Sequence, residues 1–332
     1  MRKELFFEAC GAYFAKKVVT LPPICDNGMS MKPIIAPVDV SELKKELTPE
    51  RLLRRTNRGD NEVYLIRADE APNLMREIGR VREDAFRRGG TGTGLELDVT
   101  PFDKTCLQML VWSPDSEEIA GGYRMIEGSR WPMSENGQPD LATSHLFHFS
   151  EEFLKEYKDS TVEVGRSYVT TGYQRNAPRG KSIYIMDNLW DGIGAYLVQH
   201  PEAKYLFGKV TIPASFNCRA REMMLYFMKR YFPAKKPLIT PYKPLVKQFP
   251  EEEFESLFKD KDFEGGYRVL KHEMKELGER IPPMINSYMM LTPTMQYFGS
   301  TVDETFAGAI ESAILITVDE MCEEKKARHM SV

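Results

Sequence analysis

Residues 161–182 limit the folds open to this chain more than any other stretch. TVEVGRSYV, at 161–169, reads as a strand carrying Glu163, Gly165 and Arg166. It runs into TTGYQRNAPRGK, a loop with Arg175, Arg179, Gly180 and Lys181, and that loop opens a long helix over 182–199. Backbone N–H groups of such a loop, at the positive end of the helix dipole, make a ready phosphate cradle. Arg179 and Lys181 add charge, and Gly180 lets the backbone approach closely. Taken alone, a basic loop containing glycine is equally well a solvated turn. Its place directly between strand and helix turns the reading toward a ligand.

The flanking sequence supplies a sheet for that strand. EVYLIRA, from Glu62, reads as a strand, and residues 70–86 as an amphipathic helix with Leu74, Ile78, Val81 and Phe86 near helical spacing. GGTGTGLELD is a loop, and strands follow over 105–112 and 118–126. A short strand at 145–149 and a helix at 151–157 precede the 161–169 strand. KYLFGKVTI (strand) and FNCRAREMMLYFMKRYF (helix) come after the long helix. This order predicts an α/β fold, a mixed sheet flanked by helices. Upstream, Asp39 and Ser41 offer N-caps for a short charged helix, ELKKELTPERLLRR. Downstream come charged helices near 251–279, a helix opened by Pro282-Pro283, and two strand candidates, TMQYFGSTVDETF and ESAILITV. The expected division is an N-terminal extension and connector (1–61), a core (62–232), and a C-terminal helical insertion whose final hairpin completes the sheet (233–332).

Composition closes several routes. A net charge of −4 argues against a dedicated nucleic-acid binder. The five cysteines are scattered, with no CxxC pair and no Cys/His spacing of a zinc site, which fits a reducing cytoplasm and no bound metal. Glu8 and Lys16-Lys17 interrupt the apolar start, so neither export nor membrane spanning is expected. The Phe-rich start can lie on the inner face of a membrane, although an element packed on the core is the plainer expectation. No GxSxG elbow, Walker loop or HxxxxD motif occurs. His145 and His148 sit at odd spacing on a strand-like segment and make a poor metal pair.

The 161–182 block resembles the GNAT acyltransferase core. In that fold the pantetheine arm of a thioester donor lies along this strand, at Glu163–Val169, and its phosphate rests on the following loop. Asn217 and Tyr226 resemble another signature of the family, an Asn ending one strand and a Tyr one helix further on. Within the superfamily, the chain resembles bacterial ornithine-lipid and glycine-lipid N-acyltransferases, the hemolysin-like group, and their cousins the acyl-homoserine lactone synthases. That pattern runs through Arg82 and Phe86 in VREDAF, Asp98 and Asp103 in ELDVTPFD, Arg124 in GGYRMI, and Glu163 with Arg166 in VEVGRSYV. Two more residues separate Asp98 from Asp103 than in the synthases.

The resemblance implies an N-acyltransferase of aminolipid synthesis. It would move a fatty acyl group, 3-hydroxylated or plain, from an acyl carrier protein to the amine of glycine or ornithine. Arg166, Val169, Arg175, Arg179, Gly180, Lys181 and Asn217 would meet the acyl-phosphopantetheine donor, with no permanently bound cofactor. Arg175, Arg179, Lys181, Arg219, Lys229 and Arg230 would form a basic face for the acidic carrier. Coenzyme A is the competing donor, an N-acetyltransferase the competing enzyme, and an acyl-carrier or lipid-binding regulatory module the non-catalytic rival.

Attack of an amine on a thioester needs a deprotonated nitrogen, a stabilised oxyanion and a departing thiolate. Glu163 is the candidate base, against the alternative of an ion pair with Arg166 or Arg124. A bulge at Gly165 would free a backbone N–H for the carbonyl. Tyr226 is the candidate acid, or equally an interior tyrosine. Arg82, Asp103 and Arg124 are expected to form a charge network that fixes the N-terminal helix over the site. The segment PPMINSYMMLTPTM either lines an acyl tunnel or packs the core.

Overall fold

A computed structural model of the chain describes residues 31–174 and 184–330. Asp39 caps helix α1 (Val40–Glu46), its carboxylate accepting from the Ser41 N–H. The helix expected through Arg55 stops there. Pro49 lacks an N–H and restricts Thr48 to extended backbone, so the chain turns at Pro49–Arg51 and continues as strand β1 (Leu52–Arg55). β1 pairs antiparallel with β2 (Glu62–Arg67), so the sheet begins ahead of the boundary expected at Glu62.

α2 (Pro72–Arg88) starts on a proline, whose missing N–H would have no intrahelical partner in the first turn, and places Arg87 and Arg88 at its negative end. Leu74, Ile78, Val81 and Ala85 recur at helical spacing and are buried. The hairpin β3 (Leu107–Ser113) and β4 (Glu118–Glu127) follows, then β5 (Phe147–Phe149), β6 (Thr161–Val169), α3 (Ile185–Gln199), β7 (Tyr205–Ile212) and α4 (Cys218–Tyr231). The C-terminal part adds β8 (Ile239–Pro241), α5 (Glu251–Phe258), α6 (Phe263–Glu276), α7 (Pro283–Met289), the hairpin β9 (Gln296–Asp303) and β10 (Ala309–Thr317), and α8 (Glu323–His329).

The main sheet has the order β1-β2-β3-β4-β6-β7-β10-β9, antiparallel except for the β6–β7 pair. This is the expected mixed α/β architecture. One face packs on α3, α4 and α7 through Val162, Val164, Val210 and Ile314. The other carries two clusters. Tyr64, Leu110 and Tyr168 pack with α2, while Phe207 and Leu315 pack with Trp131, Phe149 and Phe153. Between those clusters the floor is polar. Among the described residues, no helix is long and apolar enough to cross a membrane.

The site depends on how β6 and β7 part. Their parallel ladder runs from Thr161↔Tyr205 to Val164↔Gly208 and stops, while β7 continues alongside β10 to Ile212. Gly208 permits the last close approach, since a Cβ there would stand 2.6 Å from the Val164 carbonyl oxygen. β6 then bulges. Gly165 faces Arg124 and Tyr168 faces Gly122, so Arg166 and Ser167 together oppose Tyr123. Arg166 takes a left-handed backbone (φ +49°), a strained conformation for a non-glycine residue and one that recurs at functional sites. The bulge therefore sits one residue beyond Gly165, where the sequence placed it.

Candidate active site

A cavity of about 350 Å³ opens where β6 and β7 diverge. Its polar floor is built by strands across the sheet: Arg124 on β4, Glu163 and Arg166 on β6, Lys209 on β7, Glu311 on β10 and Asp303 on β9. Apolar lining comes from Tyr123, Val164, Met284, Ile285 and Tyr288. The methionine-rich segment is thus divided, with Met284 at the cavity and Met289 and Met295 buried in the core.

Glu163 is buried and accepts one hydrogen bond, from Thr143 Oγ1 at 2.8 Å. Burial raises its pKa above the ordinary value, and the nearby positive charges of Arg124 and Lys209 and the Thr143 bond pull the other way. Among the described residues no cation lies within ion-pair distance of its carboxylate, and the expected alternative pairings go elsewhere. Arg166 faces Asp98 at 3.3 Å, and Arg124 lies 3.5 Å from Asp103.

Arg82 is the hub of the expected network. Wholly buried, it donates from Nε to Asp98 at 2.9 Å and from Nη1 to Asp103 at 3.0 Å. Asp103 also closes a turn by accepting from the Thr100 N–H at 2.7 Å, and Gln108 donates to it at 3.1 Å. Burial alone would raise the Asp103 pKa, but Arg82 and Arg124 hold it well below the usual range. Asp98 joins the network despite the longer spacing, meeting both Arg82 and Arg166. Phe86, from the last turns of α2, lines the cavity and meets Phe306 edge-on at 5.4 Å.

A second charged group was not legible in the sequence. Lys209 Nζ bridges Asp303 at 3.1 Å and Glu311 at 3.0 Å, and His145 stands 3.5 Å from Asp303. Its one local signal is Glu311, a lone acid in the apolar run of AIESAILIT.

Comparison with known proteins shows the family. The family described as an acetyltransferase (GNAT) domain matches residues 81–179. A glycine N(alpha)-acyltransferase of Bacteroides thetaiotaomicron is 47% identical over 303 residues, covering 90% of either chain. One from Phocaeicola vulgatus is 45% identical over 303 residues, 90% of this chain and 93% of its own. The chain belongs to this family of GNAT-fold N-acyltransferases. Among solved structures it is similar to FeeM, an N-acyl amino acid synthase from uncultured soil microbes (TM-score 0.40, 10% identity, 78% of this chain and 91% of that one). It is also similar to BjaI, a CoA-dependent acyl-homoserine lactone synthase (TM-score 0.36, 9% identity, 80% and 85% covered).

Several expected residues of the N-acyltransferase fall elsewhere. Tyr226 is a partly buried tyrosine packed against the core, away from the cavity. It packs on Phe254 and Phe258 at 6.1 and 6.0 Å and does not line the cavity, because α5 covers that face of α4. Asn217 caps α4, accepting from the Ala220 N–H at 3.1 Å. Val169 is partly buried and paired with Gly121. The basic face on α4 is largely neutralised, with Arg219 paired to Glu253 and Lys229 to Glu251. Arg175, Arg179, Gly180 and Lys181 lie outside the described residues, as do the N-terminal segment and the first turn expected for α3. Among the described residues no acid, His and Cys cluster is arranged to hold a metal.

Proposed function

We propose that this N-acyltransferase moves a long-chain fatty acyl group from the phosphopantetheine thioester of an acyl carrier protein to the amine of glycine, giving an N-acyl amino acid for aminolipid synthesis. The observation that carries the reading is Glu163, a buried carboxylate without an ion partner among the described residues, one rung before the sheet opens into the cavity. The relatives' names support glycine as acceptor. The basic run Arg175, Arg179 and Lys181 supports a carrier bearing acidic charge.

The donor's pantetheine arm enters between β6 and β7, whose facing edges beyond Val164 and Gly208 are free of each other. Glu163 takes a proton from the acceptor's ammonium group, directly or through water. The freed nitrogen bonds to the thioester carbonyl carbon while N–H groups of the open β6 edge stabilise the oxyanion. The C–S bond then breaks, the amide forms as its nitrogen gives up a second proton, and the leaving thiolate takes that proton up.

The test is incubation of the purified protein with long-chain acyl-carrier protein or acyl-coenzyme A, 3-hydroxylated or plain, and a panel of amino acids, with mass spectrometry of the products. N-acylglycine formed fastest from the carrier is the expected result. Faster turnover of acyl-coenzyme A, indifferent to salt, would overturn the donor assignment, and a preference for ornithine the acceptor.

A further inference from the structure

The guanidinium of Arg166 faces the cavity on a strained backbone, largely buried and weakly satisfied. Its Nε has no hydrogen-bond partner, and its single ion pair among the described residues, to Asp98, is 3.3 Å long. The rings of Phe306 and Phe86 hold it in place, at 4.6 and 5.9 Å from their centroids. A buried, under-bonded donor costs folding free energy, and a cavity-facing one is poised for a ligand acceptor.

Charge counting says what that acceptor is. At this end of the cavity, Arg82, Arg124 and Arg166 share the carboxylates of Asp98 and Asp103, leaving one positive charge over. At the other end Lys209 shares Asp303 and Glu311, leaving one negative charge over with the His145 imidazole beside Asp303 neutral. Glu163 shares β6 with Arg166, and β6 lies between β4, which carries Arg124, and β7, which carries Lys209. The cavity is thus polarised, cation to anion, across the group that is to receive a proton. Burial destabilises the charged form of Arg166, and Asp98 only partly offsets this and the neighbouring charges of Arg82 and Arg124.

The geometry points to Arg166, with Arg124 beside it, as the site that binds the α-carboxylate of the amino-acid acceptor and turns its amine toward Glu163. This rests on the acceptor being an amino acid, as proposed above. A planar guanidinium matches a carboxylate with paired donors, and anchoring that end leaves the ammonium group on the Glu163 side. It also reassigns Arg166 from the donor to the acceptor.

Glycine and glycinamide present the same amine, with and without the carboxylate. The wild-type protein and Arg166→Gln are compared for kcat/KM with each acceptor and for KM with the acyl donor. The glycine-to-glycinamide ratio should fall about ten- to a hundredfold in Arg166→Gln, the loss of a charge-assisted hydrogen bond, while the donor KM stays put. An unchanged ratio, with both acceptors losing equally, would overturn the inference and leave Arg166 a structural residue. A raised donor KM with an unchanged ratio would overturn it in favour of a donor contact. If Arg166→Gln fails to fold, Arg166→Lys keeps the charge without the planar fork and is held to the same ratio. A wild-type protein that acylates no amino acid would sink the proposed function itself, a result separate from the behaviour of the variants.

Discussion

Thr143 donates its hydroxyl proton to Glu163 Oε1 at 2.8 Å, and the pair are both buried at the edge of the cavity. Thr143 comes from the loop ahead of β5, so the candidate base is positioned by a segment outside its own sheet. A single neutral hydrogen bond orients the carboxylate without quenching its basicity, as an ion pair would. Glu163→Gln keeps that shape and removes the basicity. It should fold, bind donor, and lose about a hundred- to ten-thousandfold in kcat, recovering partly at high pH where free amine is abundant. Unfolding of the variant would make Glu163 structural, and normal turnover at neutral pH would place the base elsewhere.

The acid side of the rate profile follows from the same pair. The Glu163 pKa is raised, with burial the largest cause, so activity should rise with pH through a limb above the ordinary glutamate value of about 4.3. The Thr143 bond favours the charged form and lowers that pKa. Thr143→Val should therefore move the limb to higher pH. A limb that stays in place in this variant would show that a different group is titrating.

Two parts of this site differed in how plainly the sequence announced them. Arg82, Arg124 and Glu163 lie in a helix and strands whose periodicity is strong, and a charged residue at an inward position of such an element stands out. Lys209 and Asp303 are 94 residues apart and meet because β10 docks on β7, a long-range pairing that no local pattern encodes. β8 is three residues long and β1 follows a run of good helix formers, so tertiary pairing decided both against local propensity. The sequence left Tyr226 open between an acid and an interior tyrosine for the converse reason: helical spacing shows that a tyrosine is on a face, but not that α5 covers that face.

Arg82 makes the closest ion pairs to two buried carboxylates, and removing it leaves Asp98 and Asp103 only their longer ones, to Arg166 and Arg124. Arg82→Ala should cost about 3–5 kcal/mol in stability, read by urea denaturation. The pH dependence has a definite sign. Asp103 has a folded pKa held below its unfolded value, so its contribution is complete above about pH 3.9 and is lost as pH falls from there toward the depressed pKa. Asp103→Asn should be less stable at neutral pH and should lose less stability than the wild type between pH 5 and about pH 2. Parallel stability curves over that range would remove Asp103 from the account.

With Tyr226 away from the cavity, the cavity's own tyrosines become the candidates for the donor side of the chemistry. Tyr123 and Tyr288 place their hydroxyls 3.1 Å apart, and both line the cavity beside Val164, where the ladder ends. Burial pushes the Tyr288 pKa up to about 12, with bonds to Tyr123 and Ser167 pulling it back, and Tyr123 lies well above its ordinary value. Both hydroxyls therefore keep their protons throughout the working range. A neutral, buried donor of this kind suits stabilising negative charge on the carbonyl oxygen or the departing sulfur. Tyr288→Phe should lower kcat about a hundredfold and leave the donor KM little changed, with a stability change of about 1 kcal/mol. Because the hydroxyls are bonded to each other, Tyr123→Phe combined with Tyr288→Phe should cost less than the sum of the single losses. If Tyr288→Phe instead raises the donor KM and spares kcat, the ring packs the acyl chain and the hydroxyl takes no part in the step.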